Sequence, residues 1–136
     1  MDVQEQDGPD EARVRAEVRT WLEANWSLDL TLREWWDRFG RSGWAFPTWP
    51  EDWFGKGISG RLAVVVREEV ARAGVIGPPG GLGQGLGAPT VIAHGTAEQK
   101  ELYVTALATG AAAWCQLFSE PGAGSDLASA QTRAVR

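Results

Sequence analysis

The sequence predicts a mainly α-helical fold that gives way, after about residue 112, to the opening of a β domain. Three observations carry this. Apolar residues recur at three- and four-residue spacing through most of the first 110 positions. Two capping boxes, Thr31 with Glu34 and Thr96 with Gln99, mark helix starts, while Gly74, Gly95 and Gly110 mark stops. At Gly110 the pattern changes to an extended apolar run, Trp114 to Phe118, and then to a glycine-bearing turn from Glu120 to Asp126. The expected division is 1–112 for the helical part and 113–136 for the first strand and loop of a truncated β domain.

Taken in order, Val14, Val18, Trp21 and Leu22 form one stripe of a first helix running from about Asp10 to Asn25. The Thr31 box opens a second, with Leu32, Trp35, Trp36 and Phe39 as its apolar face before Gly40. From Gly43 to Gly60 prolines and glycines exclude a long regular element. Trp44, Phe46, Trp49, Trp53 and Phe54 are unfavourable to leave in water, so this loop is expected to lie pinned on the helices. Ser59 caps a third helix whose face is Leu62, Val65, Val66 and Val70, with Glu68 four residues before Arg72 for an ion pair. After the Gly/Pro-rich stretch from Pro78 to Gly87, Ala88 to His94 is a short helix apolar enough to require burial. The Thr96 box opens a fifth helix that buries Leu102, Tyr103, Ala106 and Leu107 and closes at Gly110.

A chain of 136 residues falls in the range of one domain, and 43% hydrophobic with 23% charged residues is ordinary globular usage, so it is expected to fold. Thirteen basic against eighteen acidic side chains give a net charge of -5 without a Lys/Arg cluster, which argues against nucleic acid as a partner. Cys115 is the single cysteine, and the acidic start (Asp2, Glu5, Asp7, Asp10, Glu11) lacks the basic and apolar regions of a signal peptide. A reducing, cytoplasmic location is expected. Leu102 to Ser119 is eighteen residues without a charge, yet Thr105, Thr109, Gly110 and Gln116 interrupt it, so no membrane span is assigned.

Gly83, Gly85 and Ala88 meet the spacing G-x-G-x-x-A of a dinucleotide loop, but Pro78-Pro79-Gly80 stands where a strand is needed. A flexible entry into the following helix is the better reading. His94, at a helix end, suits the last carbonyls rather than general-base work. Cys115, in an apolar run, reads as inert packing, and one His with one Cys makes no metal ligand set. Neither a catalytic residue nor a metal site is assigned. The segment Trp114-Cys115-Gln116-Leu117-Phe118-Ser119-Glu120-Pro121-Gly122-Ala123-Gly124-Ser125-Asp126 stands out. Read physically, a strand delivers Ser119 to a turn whose glycines let main-chain N–H groups approach a planar or anionic ligand. The alternative is a tight turn whose Ser and Asp bond their own backbone.

This run resembles the signature of the acyl-CoA dehydrogenase family, a Ser/Thr-Glu-x-x-Gly/Ala-Gly-Ser-Asp core after the first strand of a middle β domain. Gly43-Trp44-Ala45-Phe46-Pro47-Thr48-Trp49-Pro50 and Ala93-His94-Gly95-Thr96-Ala97-Glu98-Gln99-Lys100 are similar to the same family in order and spacing, so the resemblance covers nearly the whole chain. It implies an N-terminal helical domain, the opening of a middle β-barrel domain, and a C-terminal four-helix bundle that nothing here matches. It implies FAD as cofactor, with contacts from Gln116, Leu117, Phe118, Ser119, Gly124 and Ser125, and an acyl-CoA substrate contact from Ser125. Ser119 is expected at the flavin's reactive edge. Leu117 and Phe118 differ from the small and aliphatic residues usual before the core motif.

The implied activity is α,β-dehydrogenation of acyl-CoA thioesters in fatty acid and lipid metabolism, with electrons passing to an electron-transferring flavoprotein. The family's catalytic Glu lies in the C-terminal portion, and Glu120 is no substitute, since it belongs to the turn and is expected to hold its shape. Two readings follow: a fragment of the flavoenzyme that contributes the flavin-contacting loop, or a noncatalytic helical module that pairs with a dehydrogenase sister subunit. A homo- or hetero-oligomer is implied by either.

Overall fold

A computed structural model describes residues 8–133 and 135. Helix α1 (Pro9–Asn25) starts with Glu11 reaching back to the Gly8 N–H, and α2 (Leu32–Arg41) starts at the Thr31–Glu34 box, formed in both directions. Ser59 accepts from the Leu62 N–H at the start of α3 (Gly60–Arg72), which ends before Gly74 at φ +64. A π turn at Gly83–Gly87 runs into α4 (Ala88–His94). The last helix is continuous but mixed: α5 (Ala97–Gln99), a π turn at Lys100–Val104, and α6 (Thr105–Ala108). Gly110, at φ +69, then turns the chain, and the Ala112 N–H donates to the Ala106 carbonyl.

Two apolar clusters organise these elements. In the first, Val14, Val18 and Leu22 of α1 meet Trp35 and Phe39 of α2 and Val65 and Val66 of α3, all buried, as the apolar stripes require. α1 and α3 lie side by side in the same direction, Glu11 meeting Arg61 and Arg15 meeting Glu69. The second cluster joins Trp49, Ala88, Val104, Leu107 and Ala108. The aromatic loop connects them, because Phe46 packs on both and stacks on Trp49 at 4.2 Å. Its backbone is tied down by the N–H groups of Lys56 and Ile58, which both donate to the Pro47 carbonyl. The pinned loop expected from five aromatic residues is therefore present.

Several expectations are corrected. Gly40 is not a helix stop. It lies inside α2, buried, where any Cβ would collide with the Ala108 carbonyl oxygen, so glycine is needed for the α2–α6 approach. Glu68 does not pair with Arg72: it reaches Arg15 at 3.0 Å, and Arg72 turns to Glu69 at 3.4 Å. α4 is not buried as a whole, since Ala88 is inside, Val91 and Ile92 are half-covered, and Ala93 and His94 are exposed. In the last helix Leu107 is buried as expected, but Leu102 and Tyr103 face outward, Ala106 is half-covered, and Val104 and Ala108 are buried instead. The physical reason is the π turn, whose extra residue breaks the 3.6-residue register between Tyr103 and Ala106.

The mainly α character stands, and among the described residues no strand forms. The run from Trp114 to Phe118, expected as a first strand, has no backbone partner among the described residues, where the isolated bridge pairs Glu120 with Ala123. A strand depends on a neighbouring ladder, and these residues have none beside them. No helix among the described residues is long and apolar enough to cross a membrane.

Candidate functional site: the loop at 114–126

The loop begins where Trp114 leaves the helical body. Its indole meets Tyr103 edge-to-face at 5.2 Å and rests over the glycines of the first π turn. A Cβ on Gly87 would lie 2.7 Å from the ring atom Cε3, and one on Gly83 would lie 3.2 Å from the Trp114 Cβ. Of the G-x-G-x-x-A spacing, Gly83 and Ala88 are buried in packing, while Gly85 is exposed with open space around it.

Beyond Trp114 the side chains turn outward. Cys115 and Gln116 are exposed, Leu117 is 88% and Phe118 73% exposed, so Cys115 is not the packed thiol expected of an apolar run. Nothing in the described residues covers this stretch, which is why its apolar character misled. Ser119 precedes a tight turn in which the Glu120 N–H donates to the Ala123 carbonyl at 2.8 Å and the Ala123 N–H returns to the Glu120 carbonyl at 3.1 Å. Ser119 and Gly124 flank this pairing, one on each side, and Ser125 follows at the bend. Gln116 and Leu117 lie further back along the unpaired segment. Gly122 and Gly124 have open space where a Cβ would stand and neither has a positive φ, so nothing within the chain requires glycine there.

Glu120 is the part the sequence only half disclosed. Its two carboxylate oxygens accept from the Gln131 N–H at 2.8 Å and the Thr132 N–H at 2.6 Å, closing the loop from behind. The Thr132 and Gln131 hydrogen bonds hold its carboxyl below the usual range, so it stays ionised with both oxygens engaged. That arrangement suits a clamp and leaves little basicity for proton abstraction. Asp126 in turn accepts from the Ser129 hydroxyl at 2.9 Å. His94, exposed on the last turn of α4, is part of none of this.

The family described as acyl-CoA dehydrogenase, N-terminal domain, matches residues 10–111. The chain belongs to the acyl-CoA dehydrogenase family. Among acyl-CoA dehydrogenases of Mycobacterium tuberculosis it is 47% identical to FadE34 over 70% of this chain and 13% of that one. It is 35% identical to IpdE1 over 88% of this chain and 36% of that one. It superposes on the ChsE4-ChsE5 complex from Mycobacterium tuberculosis with a TM-score of 0.66 at 32% identity, covering 100% of this chain and 37% of that one. The Tcur3481-Tcur3483 steroid ACAD gives 0.62 at 32% identity, over 100% of this chain and 38% of that one. The chain therefore spans between about an eighth and two fifths of these acyl-CoA dehydrogenases. The mainly helical architecture expected from the family resemblance is the one observed.

Proposed function

We propose that these residues form the helical platform and flavin-side loop of an enzyme that α,β-dehydrogenates acyl-CoA thioesters. The observation that supports this reading is the turn at Glu120–Ala123, which is flanked by exposed Ser119, Gly124 and Ser125 and has open space over Gly122 and Gly124. Glycines that the chain itself does not need suit the close approach of a flat ligand to main-chain N–H groups. Hydroxyls at Ser119 and Ser125 suit the polar rim of an isoalloxazine ring. FAD, when bound, accepts the hydrogen lost from the substrate's β carbon and so supplies the redox chemistry.

In this reading Ser119 hydrogen-bonds the flavin's reactive edge, Gly124 and Ser125 bring main chain and hydroxyl to it, and Gln116, Leu117 and Phe118 line its approach. Ser125 also touches the acyl-CoA. The α proton goes to a carboxylate outside these residues, and electrons leave to an electron-transferring flavoprotein in the cytoplasm. A second reading, a noncatalytic helical module that pairs with a dehydrogenase sister subunit, is favoured by the likeness to the two-component ChsE4-ChsE5 complex and Tcur3481-Tcur3483 steroid ACAD.

The test is flavin content of the native-length protein purified from its own cells. Ser119→Ala and Gly124→Val should each lower bound flavin, whereas Gly60→Ala, at an exposed helix start with nothing within 4 Å, should not. Equal flavin content in all three would overturn the flavin reading and favour the pairing module.

A further inference from the structure

Gly83 and Gly87 pack closely against Trp114, whereas Gly85 between them has open space. Gly83 is buried, and a Cβ there would press on Leu107 Cδ2 at 2.6 Å as well as on Trp114. Gln84, also buried, donates from Nε2 to the Leu107 carbonyl at 3.0 Å, locking the π turn to the last helix. Tyr103, itself on the second π turn, closes the other side of the indole edge-to-face. Two π turns, which are uncommon and each re-aim a helix face by one residue, thus converge on one side chain. Trp114 is followed at once by the exposed, unpaired run 115–119. It is the last residue fastened to the helical body before the loop.

We propose that Trp114 is a positioning residue, seated in the notch of Gly83 and Gly87, that fixes where the segment carrying Gln116 and Ser119 leaves the helices; its effect on flavin rests on the reading above. The ring is 37% exposed, yet one face lies against Gly87 and Tyr103 meets it edge-to-face, so the main chain it carries is held at the helical body. Gly87→Ala is the informative variant. Its methyl must displace the indole, yet alanine favours helix more than glycine does, so the local helix is not weakened by propensity.

The experiment uses native-length protein and two readouts, amide hydrogen exchange at 116–119 and flavin affinity, for Gly87→Ala, Trp114→Ala, the double variant and Ser119→Ala. Exchange at 116–119 should speed up in Gly87→Ala and Trp114→Ala, and flavin should bind about tenfold more weakly, roughly the loss of one well-placed hydrogen bond. The double variant should match Trp114→Ala alone, because the glycine acts only through the ring. Unchanged exchange in the single variants overturns the anchor. So does weakened flavin binding in Ser119→Ala with none in Gly87→Ala. Faster exchange with flavin indifferent even to Ser119→Ala leaves the anchor standing and removes the flavin reading instead.

Discussion

Arg15 Nη1 donates to the Glu69 carboxylate at 2.8 Å across 54 positions of sequence, and Glu69 is 2% exposed. Arg19 adds bonds at 3.1 and 3.3 Å to the same carboxylate. Arg72 stands at 3.4 Å. One buried anion thereby joins α1 to α3 through two guanidinium groups, with a third from its own helix. Glu69→Ala removes the 2.8 Å partner of Arg15, itself largely covered, and leaves it Glu68, and stability should fall by about 3 kcal/mol. The urea midpoint checks this, with an unchanged slope if the fold is retained.

Burial of Glu69 pushes its carboxyl up, but the bonds from Arg19 and Arg15 outweigh it and hold the carboxyl below its ordinary value of 4.5. The folded pKa is depressed, so the unfolded chain takes up the proton first. The contribution is present above 4.5 and disappears as the pH falls below it through the folded value. Melting temperature should drop more steeply below pH 4.5 in the parent protein than in Glu69→Gln, measured in parallel scans.

Gly40→Ala should destabilise by about 1–3 kcal/mol despite alanine's better helix propensity, because its methyl would meet the Ala108 carbonyl, which belongs to backbone and yields little. Thermal unfolding of the single variant is sufficient. A gain in stability would mean that α2 and α6 do not approach as described.

Thr31→Ala removes the acceptor for the Glu34 N–H and one bond that keeps the Glu34 carboxyl low. About 1 kcal/mol should be lost, with the helical signal reduced at the start of α2.

Glu120→Gln weakens the clamp on the amides of Gln131 and Thr132. Because this loop is on the surface, global unfolding should be unaffected while exchange at those two amides accelerates. Protection that persists would show that another contact holds the loop.

Much of the helical fold was legible because its signals are local. Caps at Thr31, Ser59 and Thr96 and turns at Gly74 and Gly110 depend on neighbours within four residues, and each formed as expected. What escaped was set by distance or by register. Glu68 was assigned Arg72 because both lie on one helix, whereas Glu68 and Glu69 are partnered by α1. Leu102 and Tyr103 were placed inside by a 3.6-residue count that a π turn interrupts. Gly40 resembled a stop because glycine's role in close approach depends on a helix 68 positions away. At the loop, the turn residues were recognisable from their types, but the grip of Glu120 on 131–132 and the seat of Trp114 required the tertiary arrangement.

The side-by-side pairing of α1 with α3 also sets an order of events during synthesis. Val14, Val18 and Leu22 have their partners Val65 and Val66 about fifty residues downstream. At ~5–20 residues per second, the 54 positions from Arg15 to Glu69 take roughly 3–11 s to make. Through that interval the first helix leaves the ribosome with its greasy stripe bare and with Glu69 not yet made for Arg15 and Arg19, a ready client for a chaperone until α3 arrives.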